Sequence, residues 1–215
     1  MSQPTSFVYL VDDDPSIRSS LSRLLRAVGY EVATFESAGA FLAEASPDDR
    51  GCLVLDITMP VMDGLTLQEK MNERGLDLPI VFITGFGNVS ASVKALKGGA
   101  VDFLEKPFDD DELLEAIELA IERGEAFRSQ RDARSIVKQK LDELTPREYQ
   151  ILTHVVAGFL NKVTARELDV SEKTVKVHRG RVMTKMGARS LADLVRMAET
   201  AGVEPATRQK VWGAP

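Results

Sequence analysis

The stretch "FVYLVDDDPSIRSSL", residues 7–21, indicates how the first half of the chain folds. Its apolar run from Phe7 to Val11 predicts a buried strand, and Pro15 is typical of the first turn of a helix. Three consecutive carboxylates separate the two elements: Asp12, Asp13 and Asp14. The stretch therefore predicts a strand that leads directly into a helix, with a concentration of negative charge at the end of the strand.

The same alternation of short apolar runs and amphipathic stretches continues to residue 123. The predicted strands are residues 7–11, 31–35, 52–56, 79–84 and 101–106. The predicted helices are residues 15–28, 38–45, 64–74 and 89–98, with a fifth from residue 110. Continuous apolar strands that alternate with helices imply a parallel sheet covered on both faces. We therefore predict an α/β fold, a (βα)5 doubly wound parallel-sheet domain.

The bulk composition excludes several classes of protein. The 215 residues, 44% of them hydrophobic, favour a globular protein with two domains. No apolar stretch approaches the roughly 18 residues of a membrane helix, and the N-terminus lacks a secretory signal pattern, so we expect a cytoplasmic location and no membrane partner. With one cysteine, Cys52, and no cluster of cysteine and histidine, the sequence supports neither a disulfide nor a zinc site.

Charge is distributed unevenly along the chain. Residues 1–123 carry 10 basic and 22 acidic side chains, a net charge of −12. Residues 124–140 carry 5 basic and 2 acidic, and residues 141–215 carry 12 and 9, so each of these segments has a net charge of +3. An acidic first half joined to a mildly basic second half is typical of a regulatory domain attached to a nucleic-acid-binding domain.

The pattern along the chain predicts four segments. Residues 1–123 form the α/β domain, and residues 141–200 form an all-α domain of four helices, with helix starts favoured by Ser171 and Ser190. Residues 201–215 are predicted to be an unstructured tail. Residues 124–140 fit two interpretations equally well, a flexible polar linker or a continuation of the fifth helix that could pair with its copy in a dimer. Gly124 weakens the helical interpretation without excluding it.

Charged and polar side chains stand at the carboxyl ends of the predicted strands, where ligands bind in sheets of this kind. They are Asp12, Asp13, Asp56, Thr84 and Lys106. Three carboxylates at one edge would repel one another without a counter-charge, and Mg²⁺ suits such a sparse oxygen shell. Each residue also has a structural explanation, as a helix cap, a turn residue or an exposed lysine, but the set together favours one site.

This combination of residues suits phosphoryl chemistry. An aspartate carboxylate can act as a nucleophile and form an acyl phosphate, which is the role we predict for Asp56. Lys106 and Mg²⁺ would neutralise the oxygens of the transferring phosphoryl group, and the Thr84 hydroxyl would donate a hydrogen bond to it.

The segments "LVDDD", "VLDITMPVMDG", "ITG" and "DFLEKPF" resemble the receiver domain of bacterial two-component response regulators, over residues 5–123. The resemblance implies that Asp56 accepts a phosphoryl group from a sensor histidine kinase. It also implies that Asp12 and Asp13, with the Thr58 backbone carbonyl, organise Mg²⁺, and that Thr84 and Lys106 hold the phosphate. Asp14 falls outside the metal pair and is predicted to lie in the second layer or to cap the helix.

The same resemblance implies a conformational switch. In the family, the threonine moves toward the phosphoryl group, and an aromatic residue in the fifth strand turns inward. Phe103 occupies that position here, although an ordinary core phenylalanine is an equal explanation. The surface formed by the fourth helix, fifth strand and fifth helix would then mediate dimerisation.

Residues 143–198 resemble the helix-turn-helix output domain of the NarL/FixJ group, also called LuxR-type. The predicted third helix has an apolar back (Val175, Val182, Met186) and a polar front (Lys173, Thr174, Lys176, His178, Arg179, Arg181, Lys185). By family position, Lys176 and Val177 would contact base edges, and Lys173, Thr174 and Arg179 would contact phosphates or flanking bases. Gly180 replaces a larger residue and Thr164 stands where isoleucine is preferred, so the base preference stays open.

Together these features predict a phosphorylation-switched transcription regulator that is not an enzyme and assists only its own phosphoryl transfer and autodephosphorylation. The expected partners are a sensor histidine kinase, double-stranded promoter DNA, a second copy of the chain and RNA polymerase. A protein-binding signalling adaptor is one alternative. An aspartyl-nucleophile phosphatase of the haloacid dehalogenase type is another, disfavoured because Thr58 stands where such enzymes have a second aspartate.

Overall fold

The computed structural model describes residues 6–85 and 89–207. It contains two compact units, the first ending at Arg128 and the second beginning at Ser129. The first is a five-stranded parallel sheet with helices on both faces, and the second is helical, so the predicted fold class is confirmed. Residues 1–5 of the predicted α/β domain and residues 208–215 of the predicted tail lie outside the described residues.

The first unit alternates strands and helices throughout its described length. Its strands are β1 (Phe7–Val11), β2 (Glu31–Phe35), β3 (Cys52–Asp56), β4 (Ile80–Thr84) and β5 (Asp102–Glu105). Its helices are α1 (Pro15–Ala27), α2 (Ala38–Glu44), α3 (Gly64–Arg74), α4 (Val89–Lys97) and the start of α5 (Asp110–Asp142). Each element lies within a residue or two of its predicted position.

The strands pair in the order β2-β1-β3-β4-β5, and every pair is parallel. β1 and β3 are therefore neighbours, and Val11 pairs with Leu55 just before the acidic ends of both strands. In β3 and β4, Asp56 pairs with Ile83, which places Thr84 one position farther along the same edge. The carboxyl ends of all five strands consequently meet at one edge of the sheet.

Two apolar layers cover the sheet, one on each face. The side chains of β1 alternate between them, because Val8 and Leu10 pack in one layer and Val11 in the other. α2, α3 and α4 cover one face, for example through Phe41 in α2, and α1 and α5 cover the opposite face. All five residues of β3 and of β4 are buried, as expected for the central strands of a parallel sheet.

α5 is a single helix of 33 residues, and residues 124–140 lie inside it. Gly124 has a packing role within this helix. A Cβ atom at that position would lie 2.9 Å from Cγ of Pro79, which precedes β4. Glycine therefore permits α5 to approach the start of β4 closely, at a position where its helix propensity is low.

In its described residues, 129–207, the second unit contains four further helices after the end of α5. They are α6 (Pro146–Val156), α7 (Asn161–Glu167), α8 (Glu172–Met186) and α9 (Leu191–Ala201). Ser171 and Ser190 cap α8 and α9 through their side chains, as predicted. An apolar cluster from all four helices and the end of α5 forms the core of this unit. None of the helices within residues 6–85 and 89–207 combines the length and apolar composition needed to span a bilayer.

Candidate functional site

The predicted strand-end residues gather at the carboxyl edge of the sheet. Asp12 follows β1, Asp56 ends β3, Thr84 ends β4, and Lys106 follows β5. Asp12 and Thr84 are each 1% exposed, and Asp56 is 5% exposed. Two carboxylates buried this deeply require partners, because an unpaired charge inside a protein is strongly disfavoured.

Lys106 supplies that partner. Its Nζ atom lies 2.8 Å from Asp12 Oδ2 and 2.8 Å from Asp56 Oδ1, so a single ammonium bridges both carboxylates. The Lys106 side chain is 22% exposed, which leaves one side of the bridge open to solvent. The sequence predicts that a divalent cation balances this charge, whereas in the structure Lys106, which follows β5, already provides much of the balance.

Hydrogen bonds from the backbone hold the two carboxylates in place. The N–H of Asp14 donates to Asp12 Oδ1 at 2.8 Å, and the N–H of Thr58 donates to Asp56 Oδ2 at 2.6 Å. A Cβ atom at Gly64 would lie 2.5 Å from the Asp56 carbonyl oxygen. Glycine at the start of α3 therefore lets the helix approach the end of β3 closely.

The environment changes the acidity of both partners in the central pair. Burial raises the pKa of Asp56, and the charge of Asp12 adds to the rise, while the hydrogen bond and charge of Lys106 and the Thr58 N–H oppose it. Burial lowers the pKa of Lys106, but hydrogen bonds to Asp12 and Asp56 outweigh it and the net pKa is raised. Lys106 is therefore protonated at neutral pH, and the Asp56 carboxylate is poorly solvated.

The other acidic residues after β1 occupy different positions. Asp13 is exposed at the rim of the site. Asp14 is the N-cap of α1, because its carboxylate accepts a hydrogen bond from Ser16 N at 2.7 Å. This agrees with the predicted capping role of Asp14 and separates it from the buried pair.

The donor set at this edge suits Mg²⁺, although the structure gathers no closed metal shell. Within the described ranges, no three or more His, Cys, Asp or Glu side chains are grouped closely enough to hold a metal ion. Mg²⁺ keeps several waters and needs only one or two carboxylates from a protein. The buried carboxylates of Asp12 and Asp56, with Asp13 at the rim, provide such a sparse set, so the magnesium site stays a prediction.

Thr84 and Phe103 lie on the same face of the sheet. Phe82 pairs with Phe103 and Thr84 with Glu105, and residues two apart in a strand share a face. Phe103 is partly buried against the layer that contains Phe82. The two residues of the predicted switch are therefore near neighbours on adjacent strands, and the movement of either side chain stays a prediction.

In the second unit, α8 presents a polar stripe and a buried stripe. Val175, Val182 and Met186 are fully buried in the core, as predicted. Lys173, Lys176, Val177 and Gly180 are exposed at a spacing of three or four residues, which places them on one face. Thr174 and Arg179 are half-buried; Arg179 donates a hydrogen bond to Asn161 Oδ1 at 3.3 Å, and Thr174 Oγ1 bonds with Ser171 Oγ at 2.8 Å.

The assignment of Lys185 to the polar front of α8 is wrong. It lies nine positions after Lys176, which at about 100° per residue is half a turn around the helix. Its Nζ atom is 2.7 Å from Glu148 Oε2, and Glu148 is only 2% exposed. Glu148 was not among the predicted functional residues, although the pattern T-x-x-E at residues 145–148 is typical of a capping box.

Two family models match the chain, one for each unit. The model described as the response regulator receiver domain matches residues 8–118. The model described as bacterial regulatory proteins, luxR family, matches residues 142–198. The first match includes the edge of the sheet that carries Asp56, and the second includes α8.

Relatives and solved structures agree with these matches over nearly the whole chain. The sequence is 46% identical to nodulation protein W of Bradyrhizobium diazoefficiens, over 92% of this chain and 87% of that protein. It is 46% identical to the transcriptional regulatory protein FixJ of Azorhizobium caulinodans, over 93% and 94%. The structure of the response regulator StyR matches with a TM-score of 0.80 at 44% identity, over 91% of this chain and 99% of that one.

Proposed function

Because the chain belongs to the two-component response regulators that carry a receiver domain and a LuxR-type DNA-binding domain, we propose that phosphorylation of Asp56 controls its binding to promoter DNA. A sensor histidine kinase supplies the phosphoryl group. The P–N bond of its phosphohistidine breaks as a carboxylate oxygen of Asp56 bonds to phosphorus, and the histidine leaves with the electron pair.

The observation that carries this proposal is the Lys106 bridge between Asp12 and Asp56. It identifies Asp56 as a buried carboxylate held beside a fixed positive charge, with an opening on the solvent side of the lysine. A phosphoryl group carries dispersed negative charge during transfer, and a pre-positioned ammonium stabilises that charge. The Thr84 hydroxyl would donate a further hydrogen bond to the phosphoryl oxygens.

Asp12, Asp13, Asp56 and the Thr58 backbone carbonyl would hold Mg²⁺, which when bound supplies positive charge to the phosphoryl oxygens. The acidic pair at the end of β1 acts through this role, since neither Asp12 nor Asp13 forms a bond to phosphorus. The Lys106 ammonium, which donates to Asp12 and Asp56 in the structure, would donate a hydrogen bond to the new phosphate.

The added phosphate shifts the first unit between two arrangements. A phosphorylated Asp56 presents new acceptor oxygens and a charge of about −2, which attract Thr84. Movement of Thr84 opens space on the face that it shares with Phe103, and Phe103 turns inward. The altered surface formed by α4, β5 and α5 then favours a homodimer.

The dimer presents two copies of α8 to double-stranded DNA. Lys176 and Val177 contact base edges in the major groove, and Lys173, Thr174 and Arg179 contact phosphates or flanking bases. Two recognition helices related by a two-fold axis fit half-sites about one helical turn apart. The bound dimer controls transcription through RNA polymerase.

The proposal is tested by measuring DNA affinity and molecular mass with and without acetyl phosphate and Mg²⁺. The DNA is a double-stranded fragment that the protein selects from a random pool. Its affinity is measured by fluorescence anisotropy at fixed salt. We expect phosphorylation to raise affinity and to increase the mass in light scattering. Lys176→Ala should weaken binding, with Arg23→Ala at an exposed position in α1 as the control. Equal affinity with and without phosphorylation would contradict the proposed control.

A further inference from the structure

The last turn of α8 is fixed to the rest of the second unit by two lysines. Lys185 Nζ donates to Glu148 Oε2 at 2.7 Å and to the Glu143 carbonyl oxygen at 2.9 Å. Lys140 Nζ, from the end of α5, donates to the Met186 carbonyl oxygen at 3.0 Å. The two ammonium groups thus connect α8 to segments on either side of the start of α6.

Glu148 is the centre of this arrangement. Its side chain is buried, and Oε2 accepts from both Lys185 Nζ and the Thr145 backbone N–H, the latter at 3.0 Å. The Thr145 hydroxyl in turn accepts from the Glu148 N–H, so one glutamate caps α6 and binds α8. These hydrogen bonds, that of Lys185 first, lower the pKa of Glu148 to about 2.

The ion pair between Glu148 and Lys185 differs from a surface ion pair because its glutamate is buried. The Glu148 side chain is 3% exposed, so removal of Lys185 would leave a buried carboxylate without its charged partner. Lys185 points away from the exposed stripe that contains Lys173 and Lys176, since it lies half a turn around α8 from Lys176. The Lys185 side chain is 34% exposed, and its ammonium is paired with Glu148 rather than directed along the exposed stripe.

From these contacts we infer that Glu148 and Lys185 are positioning residues that set the orientation of α8 for DNA binding. The inference rests on the proposed DNA-binding function of α8. An ion pair with a buried glutamate holds one end of α8, which fixes the position of its exposed stripe, and small displacements of base-contacting groups cost affinity. Lys140 supports the same end by capping the Met186 carbonyl, where positive charge favours a helix C-terminus.

The salt dependence of DNA binding separates a positioning lysine from a phosphate-contacting lysine. Each phosphate contact that is lost reduces the slope of log affinity against log salt by about one. We expect Lys185→Met to lower affinity and to leave this slope unchanged. Lys176→Met is the matched comparison on the exposed stripe, and it should lower the affinity for the selected DNA sequence more than the affinity for unrelated DNA. Lys173→Met should reduce the slope.

Two further variants separate positioning from a general loss of folding. Lys185→Arg retains the charge that pairs with Glu148 and should restore affinity to within about threefold of wild type. Glu148→Gln and Lys185→Met should be non-additive by at least about threefold when combined, because both remove the same contact. Arg23→Met, at an exposed site on α1, is the control for removal of one positive charge.

A measurement without DNA tests the ion pair itself. The ¹³C resonance of the Glu148 carboxyl in the whole chain should remain that of a carboxylate at about pH 4, and in Lys185→Met it should titrate there. If wild type binds no double-stranded DNA, the proposed function fails and the positioning role fails with it. If wild type binds DNA but Lys185→Met reduces the salt slope as Lys173→Met does, or changes neither affinity nor slope, only the positioning role is overturned.

Discussion

Replacing Lys106 by methionine removes the positive charge that Asp12 and Asp56 share. Among the residues that the structure describes, the Thr58 N–H still donates to Asp56 and the Asp14 N–H still donates to Asp12. Removing one partner of a buried ion pair costs roughly 3–5 kcal/mol, because the other charge stays buried without compensation. Since the Lys106 side chain is 22% exposed, we expect the lower end, about 3 kcal/mol, at neutral pH.

The destabilisation by Lys106→Met should depend on pH, and the raised pKa of Asp56 sets the direction of this dependence. Burial already raises the pKa of Asp56 above its ordinary value, and loss of Lys106 removes the groups that oppose this rise. A carboxyl whose folded pKa is raised contributes stability at low pH that is lost as pH rises through the folded pKa. The destabilisation by Lys106→Met should therefore be smaller at about pH 5 than at about pH 8.

Native-state hydrogen exchange of peptides from β3 and β4, in the whole chain, measures this effect in the first unit alone. Lys97→Met, at an exposed position in the last turn of α4, is the control and should change the local free energy by less than about 0.5 kcal/mol. A loss below about 0.5 kcal/mol for Lys106→Met, or a loss that is equal at both pH values, would refute the reasoning.

Further substitutions test other parts of the structure. Asp56→Asn should leave the free energy of unfolding of the first unit unchanged or higher, because it removes a poorly solvated charge; a drop of more than about 1 kcal/mol in hydrogen exchange would contradict this. Gly124→Ala should destabilise by about 1–3 kcal/mol because its Cβ would meet Pro79, whereas Gly180→Ala, with open space around it, should stabilise by about 1 kcal/mol in thermal melts. Folding lowers the pKa of Glu148 from 4.5 to about 2, so this residue contributes stability above its ordinary pKa that is lost as pH falls toward 2. Glu148→Gln should therefore reduce the dependence of stability on pH between these values, as measured by circular dichroism during acid unfolding.

The sequence was sufficient to predict the fold of the first unit and the edge that carries its polar residues. Each strand is a short apolar run with a charged or polar residue at its end, and parallel pairing brings these ends together without further information. The order of the strands does not follow from the runs themselves. The neighbouring positions of β1 and β3, and hence of Asp12 and Asp56, come from the tertiary packing of the sheet.

The sequence could not predict which partner each charged group would take. Lys106 was expected to contact a phosphate, and its bridge between two buried carboxylates depends on distances that spacing along the chain does not encode. Lys185 was assigned to the polar face of α8, because a lysine in a basic helix has no local feature that identifies a buried acceptor on another helix. The sequence also left the length of α5 undecided. The low helix propensity of Gly124 can be read from the sequence, but its close contact with Pro79 appears only in the folded structure.

Intact-protein mass spectrometry after incubation with acetyl phosphate tests most directly whether Asp56 is the phosphoacceptor. Wild type and Asp56→Asn are compared, each with Mg²⁺ and with excess chelator. We expect the wild type with Mg²⁺ to gain the mass of one phosphoryl group, and the chelated sample and Asp56→Asn to gain none. A wild-type chain that stays unmodified, or an Asp56→Asn chain that is labelled to the same extent, would contradict the account.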